Sequence, residues 1–411
     1  MSGAATLDVD FVRDQFPGLG DWVFCENAGG TMVPDQVIDR VRAYMTETQV
    51  QPGGAYPVSA RAAEKMAESQ RLMAAMINAD ADEVVIGPST TMNVYVLSHA
   101  IRPWLRPGDE VVVTNLDHEA NNGAWRRLEE IGVVIREWRI DPETAELEPE
   151  ALARLLNART RLVCFTHCSN ITGGIHDVAA LVRMIHDAGA LACVDAVAYA
   201  PHRALDVRAL DVDFYLCSLY KLYGPHVAML YGKREHLLRA QAQNHYFIGD
   251  ENLPLKLNPG GPNHEFWASL SGIAAYFDDL HAHHFPGANV GLHARFAACF
   301  DLVAAHEGRL ARRFMDFLAA RKGIRVVGRA TGDPARRVPT FSFVVAGRDA
   351  GEIAAEAGKR GVGIGAGDFY AARIIDALGL RARGGVVRVS MVHYNTEAEV
   401  DRVIRVLDEV I

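Results

Sequence analysis

A chain of 411 residues with a formal net charge of −9 and 49% hydrophobic residues is long enough to bury a large core in one or two compact units. Its mildly acidic balance and the lack of a Lys/Arg-rich run argue against a nucleic-acid face or an anionic membrane surface as the main partner. Small-molecule chemistry is the expectation that remains.

The opening stretch, "MSGAATLDVDFVRDQFPGLG", lacks a basic end followed by an apolar run. No segment approaches the roughly 20 apolar residues that span a bilayer, so a cytoplasmic protein with no membrane partner is expected. From about residue 60 the chain alternates helical patterns, such as "ARAAEKMAESQRLMAAMI" and "DVAALVRMIHDAG", with short apolar runs. These runs, "DEVVIG", "DEVVVTN", "VVIREW", "RLVCFTH", "ALACVDA", "DFYLCS" and "AMLYG", read as strands buried on both faces. Such alternation predicts an α/β domain with a mainly parallel sheet. After about residue 285 the texture changes to one long helical segment, then "IRVVG", "PTFSFVVA", "GVGIGAG" and "VVRVSMVHY", and a last helix "EAEVDRVIRVLDEVI". This predicts a smaller α+β unit. The expected division is a large domain over 20–285 and a small domain of 1–19 plus 286–411, with the functional site in the cleft between them.

The six cysteines, at 25, 164, 168, 193, 217 and 299, contain no CxxC pair, and four lie in apolar runs. They read as reduced, buried thiols, and no metal site is expected.

Ligands of open parallel sheets bind at the carboxyl ends of the strands, so polar residues directly after the apolar runs are the candidates. In "GPSTTMN", Ser89 and Thr90 open a helix and could hold an anion, although a hydroxyl there also serves as an ordinary helix cap. In "VDAVAYAPH", Asp195 ends a buried strand, where a carboxylate needs a cation or strong donors. In "SLYKLYGPH", Lys221 stands among Leu219, Tyr220, Leu222 and Tyr223, the setting of a desolvated amine able to form an imine with a carbonyl compound. The two tyrosines are expected to wall this amine from water and lower its pKa. An anion site, a buried carboxylate for a protonated ring nitrogen and an imine-forming amine together suit pyridoxal 5′-phosphate.

The order of these motifs resembles the class V aminotransferases, pyridoxal-phosphate enzymes of fold type I, and within them the SufS-like cysteine desulfurases and desulfurase-like proteins. The resemblance runs from about residue 20 to the end and includes "GAYPVSARAAEKMAESQRLMAAMINAD" and "VVRVSMVHYNTEAEVDRVIRVL". It implies a large domain with a mainly parallel seven-stranded sheet, a smaller α+β domain and a homodimer. It also implies that Lys221 forms the imine with the cofactor, that Asp195 pairs with the ring nitrogen and that His118 stacks on the ring. Asn170 would lie near the phenolic oxygen, and Ser89, Thr90 and Ser218 would hold the phosphate. Arg388 would grip the substrate α-carboxylate, with Asn27 beside it.

The departures from that pattern bear on the reaction. The family's loop arginine and catalytic cysteine fall at Gly365 and Tyr370 in "GVGIGAGDFYAAR". A thiolate must attack the substrate sulfur in a desulfurase, so persulfide chemistry is not expected unless a cysteine from elsewhere reaches the site. Ala198 replaces a cofactor-bonding glutamine and Tyr220 a histidine. Gly261 replaces a phosphate-binding threonine lent by the partner subunit, and its amide remains available. The expected function is therefore that of a lyase on an amino acid, by β-elimination or C–S cleavage. An aminotransferase or epimerase is the alternative, and a non-catalytic cofactor-binding protein the reading from another class.

Overall fold

The computed structural model describes residues 6–411. All seven apolar runs form strands of one sheet, in the spatial order Val84–Gly87, Ala228–Gly232, Phe214–Ser218, Leu191–Asp195, Thr160–Thr166, Glu110–Thr114, Val134–Trp138. Ala228–Gly232 is antiparallel to both its neighbours; every other pair is parallel. Alternate residues feed two apolar layers. Val112 and Val163 face one layer, whereas Val111, Val113, Leu162 and Cys164 face the other. This explains why the runs are nearly all apolar rather than alternating.

Helix starts are fixed by side chains that satisfy otherwise unpaired amides. Ser89 accepts from Met92 N at 3.1 Å to open Thr90–Ala100, and Asp177 accepts from Ala180 N at 3.0 Å to open Val178–Asp187. A reciprocal Thr396–Glu399 capping box opens the last helix, Glu397–Val410. No helix among the described residues is long and apolar enough to cross a membrane.

The smaller unit is a four-stranded antiparallel sheet in the order Gly365–Gly367, Val386–Ser390, Thr340–Val345, Ile324–Val327. Two segments pack in both apolar clusters. The N-terminal segment divides: Leu7, Val12 and Phe16 pack in the large apolar cluster, Phe16 edge-on to Tyr223 and Tyr276, while Val23 and Cys25 join the small unit's core. Val23–Phe24 pairs with Val362–Gly363, and Glu26 with Ser390. Residues 1–5 of the expected small domain lie outside the described residues. At the other boundary, the helix Leu292–Ala320 crosses between units. Its Phe296 to Val303 face packs in the large cluster and its Leu310 to Leu318 face in the small one. Pro286 and Gly287 thus mark a turn before the crossing helix.

Thr166 and Asp195 are register partners at neighbouring strand ends, and Asp195 pairs with Leu216, two residues before Ser218. The polar residues that follow the strands therefore converge on one edge of the sheet, against the small unit.

Candidate active site

Strand Phe214–Ser218 ends in a tight turn, Leu219–Lys221, before the chain returns at Ala228. The turn carries Lys221 inward, and only 6% of it is exposed. Its Nζ has no hydrogen-bond partner among the described residues. Burial, and next the positive charge of Arg388, pull its pKa down to about 8. The tyrosines divide, contrary to expectation. Tyr220 lies over the amine, ring centroid 5.8 Å from Nζ, and stacks on His226 at 4.6 Å. Tyr223 turns away with φ +62°, its hydroxyl donating to Pro201 O at 2.7 Å and its ring packing against His393. The acidified amine therefore owes its state to desolvation and to Arg388, with one tyrosine as cover.

Asp195 shares the cavity. One carboxylate oxygen accepts from Val197 N at 2.8 Å, and the other has no partner among the described residues. Burial pushes its pKa up to about 6, opposed by that amide and by Lys221. A buried carboxylate with one oxygen unmatched is a receptor for a cationic donor.

At the opposite end, Thr90 Oγ1 and Ser218 Oγ lie 2.7 Å apart beside the first turn of Thr90–Ala100. Ser89 serves as the cap of that helix, and its oxygen is occupied by the Met92 amide. The first-turn amides of Thr90 and Thr91 have no partners within the helix, which suits an anion. Ser89, Thr90, His118, Asn170, Asp195, Ser218 and Lys221 all line this single cavity. Ala198, Cys168 and Tyr220 are also part of its lining. The residues present fit pyridoxal 5′-phosphate: an unpartnered amine for the aldehyde, an unmatched buried carboxylate for the pyridinium, and hydroxyls with helix amides for the phosphate.

His118 Nδ1 accepts from Ala120 N at 3.0 Å, so a neutral ring carries its proton on Nε2. Burial, Lys221 and Arg388 lower its pKa to about 4. Beneath it, Asp117 is hydrogen-bonded by Thr114 and by Asn121 Nδ2 at 2.7 Å, and burial raises its pKa to about 7.

A second, more open hollow adjoins the cavity, sharing His118, Asn170, Tyr220 and Lys221 and adding Glu26, Phe369, Tyr370 and Arg388. Arg388 is 2% exposed. Its Nη1 donates to Asn170 O at 3.1 Å and its Nη2 to Glu26 Oε1 at 2.6 Å, while its Nε has no partner. Phe369 lies on the guanidinium, with Cζ 3.6 Å from the ring centroid. Phe369 and Tyr370 both hold φ near the left-handed region, +50° and +59°, costing on the order of 1–2 kcal/mol each. The conformation is held by Asn170 Nδ2 donating to Phe369 O at 3.0 Å and Glu119 N donating to Tyr370 O at 2.7 Å. It sends Phe369 inward onto Arg388 and Tyr370 outward beside His118, ring centroids 5.4 Å apart.

Two of the expected site residues, Asn27 and Gly261, do not line these hollows of the chain. Asn27, expected at the substrate, is spent on the fold: its Nδ2 donates to Ser390 O at 2.9 Å and to Asn395 Oδ1 at 3.2 Å, and its Oδ1 accepts from Tyr394. It lines neither hollow. Gly261, with φ +116°, lines a separate surface hollow with Pro88, Met92 and Pro262, outside the cavity of its own chain. Conversely, Glu26 and Phe369 escaped the sequence reading. The available signal was Gly365 at the arginine position, since losing a large side chain beside Arg388 means that something else fills the space.

None of the six cysteines is exposed. Cys168 lines the cavity, but its thiol donates to Gly173 O at 3.4 Å and burial pushes its pKa far up, as it does for Cys25 and Cys217. None of these three supplies a thiolate.

The profile of the aminotransferase class-V family matches residues 23–403. The aminotransferase-like protein FGM3 of Gibberella zeae is 37% identical over 99% of this chain and 100% of its own. The cysteine desulfurase-like protein ustD of Aspergillus flavus is 35% identical over 98% of this chain and 91% of its own. Among solved structures, the cysteine desulfurase CsdA of Escherichia coli superposes with a TM-score of 0.83 at 25% identity, covering 98% of both chains.

Proposed function

The chain belongs to the class V aminotransferase family of pyridoxal 5′-phosphate enzymes, and from that premise we propose that it is a lyase that cleaves a bond at the β-carbon of an amino acid without a cysteine nucleophile. The observation that carries this reading is the pairing of a buried, unpartnered Lys221 amine with Asp195 in a cavity whose one thiol, Cys168, is inert.

Lys221 would hold the cofactor's aldehyde, Asp195 its ring nitrogen, and Thr90, Ser218 and the helix amides its phosphate, with His118 against the ring. When bound, the cofactor supplies an electron sink for charge developing at the substrate's Cα. Lys221 Nζ moves the Cα proton. At a pKa of about 8, on the order of a tenth of the free amine is neutral at pH 7, against well under a thousandth at the ordinary lysine value. Arg388 holds the α-carboxylate through its planar fork and so fixes which bond at Cα or Cβ lies across the ring. His118, neutral above about pH 4, offers Nε2–H on the substrate side. Asp195, relieved of its burial cost by a cation, keeps its negative charge.

We place the enzyme in the cytoplasm and as a homodimer. Exposed Met92 borders the hollow of Gly261, and exposed Tyr246 and Phe247 add apolar surface for a partner to cover. A second copy would bring the amide of Gly261 to the phosphate end.

The test is to incubate the cofactor-loaded protein with β-chloroalanine, cysteine and other β-substituted amino acids and to measure pyruvate, ammonia and sulfide. Pyruvate and ammonia in equal amounts support the reading. Amine exchange with a keto acid and no pyruvate would replace it with transamination, and silence across the panel would remove it.

A further inference from the structure

Glu26 has no part in the chemistry above, yet its carboxylate faces the hollow that would receive the substrate. It is 2.6 Å from Arg388 Nη2, and its side chain is 30% exposed where Arg388 is nearly enclosed. Two glycines make the room: a Cβ at Gly29 would overlap Glu26 Oε2, and one at Gly365 would lie 2.9 Å from Oε1 and 2.7 Å from Phe369 Cε1. Neither position accepts a side chain while Glu26 keeps this place. No hydrogen bond engages Oε2 among the described residues, so the carboxylate is anchored by Arg388 alone.

Resting on the reading that Arg388 receives the substrate carboxylate, we propose that Glu26 is a specificity-determining residue, a resident carboxylate that occupies Arg388 and yields it only to a carboxylate already tethered through its amine. An incoming carboxylate meets a guanidinium whose charge is neutralised and whose Nη1 and Nη2 each carry a bond. A free carboxylate must displace or share Glu26 from bulk solution. An α-amino acid held at its nitrogen presents its carboxylate at high effective concentration and wins the exchange. The site thereby takes amino acids and turns away bare carboxylic acids, including any keto-acid product after its amine has gone.

Propionate, which has a carboxylate and no amine, is the probe, with its dissociation constant from the cofactor-loaded enzyme measured by calorimetry. Glu26→Gln keeps an acceptor for Arg388 but removes the negative charge, and should bind propionate about tenfold more tightly; Glu26→Asp should stay near wild type. An unchanged cofactor absorbance spectrum confirms the fold of each variant. Propionate binding that is equal or weaker in Glu26→Gln overturns the proposal and leaves Glu26 as a structural brace of Arg388. The readout needs no turnover, so a failed lyase assay does not touch it. Equal propionate binding by Arg388→Met would overturn the carboxylate grip together with this inference.

Discussion

The two halves of the site are built differently. The cofactor half stands on the ends of buried parallel strands, where Asp195 and Ser218 are set by register and Lys221 by a three-residue turn. The substrate half is assembled from Glu26, the left-handed pair Phe369–Tyr370 and Arg388, segments far apart in the chain that meet where the small unit faces the sheet edge. Strand ends hold a side chain through the ladder pairing of neighbouring buried strands and tolerate little change. Loops held by a few hydrogen bonds can exchange a thiol for a phenol or an arginine for a glycine and still close. The difference teaches that strand ends conserve the make-up of a cavity, whereas loops are where it can change.

The largest blow to the cofactor half short of losing Lys221 is Asp195→Asn. It should lower turnover by roughly two to three orders of magnitude with cofactor still bound, read from kcat and the absorbance spectrum together. A drop under tenfold would mean that this carboxylate does not pair with the ring.

Next comes the electrostatic link between the halves. Arg388 lowers the pKa of Lys221, so uptake of the aldehyde by cofactor-free protein should quicken as pH rises and level off above about 8. Arg388→Met removes a repelling cation, favours protonated Lys221 and moves that midpoint up. A wild-type midpoint near the ordinary lysine value, or a downward shift in the variant, would cut the link.

Within the substrate half, Phe369→Ala removes the ring from the face of Arg388. The loss of about 0.5–2 kcal/mol should raise KM for the amino acid by roughly 2- to 30-fold with kcat little changed. An unchanged KM would make the stacked pair incidental to binding.

The smallest effect separates the two tyrosines. Tyr223→Phe leaves the buried Pro201 carbonyl without its donor and should cost about 1 kcal/mol in urea unfolding, while cofactor spectrum and kinetics hold. A changed spectrum would return Tyr223 to the lysine's surroundings.

The cofactor half was legible in the sequence because its signals are local. An apolar run followed at once by Asp195, or by Ser218 and Lys221, reports a polar side chain buried at a strand end in a few consecutive letters, and all seven strands were marked the same way. The substrate half was only half legible. Arg388 was found through the resemblance, but Glu26 and Phe369 act across 362 and 19 residues of chain, and no short-range pattern encodes such a contact. Asn27 misled for the same reason, since its partners Ser390, Tyr394 and Asn395 come from the far end of the chain. Tyr223 misled because adjacency in sequence to Lys221 says nothing of direction once its φ is positive. The pieces that join the two units, residues 23–26 and Leu292–Ala320, carry no such local signal, because each is apolar enough to suit either core.

The central claim is that the amine of Lys221 is the group that carries the cofactor in this cavity. Reducing the cofactor-loaded protein with borohydride and mapping its peptides should put a pyridoxyl-phosphate adduct on Lys221, absent from Lys221→Ala. An adduct on another lysine, or a protein that binds the aldehyde without any reducible bond, would contradict it.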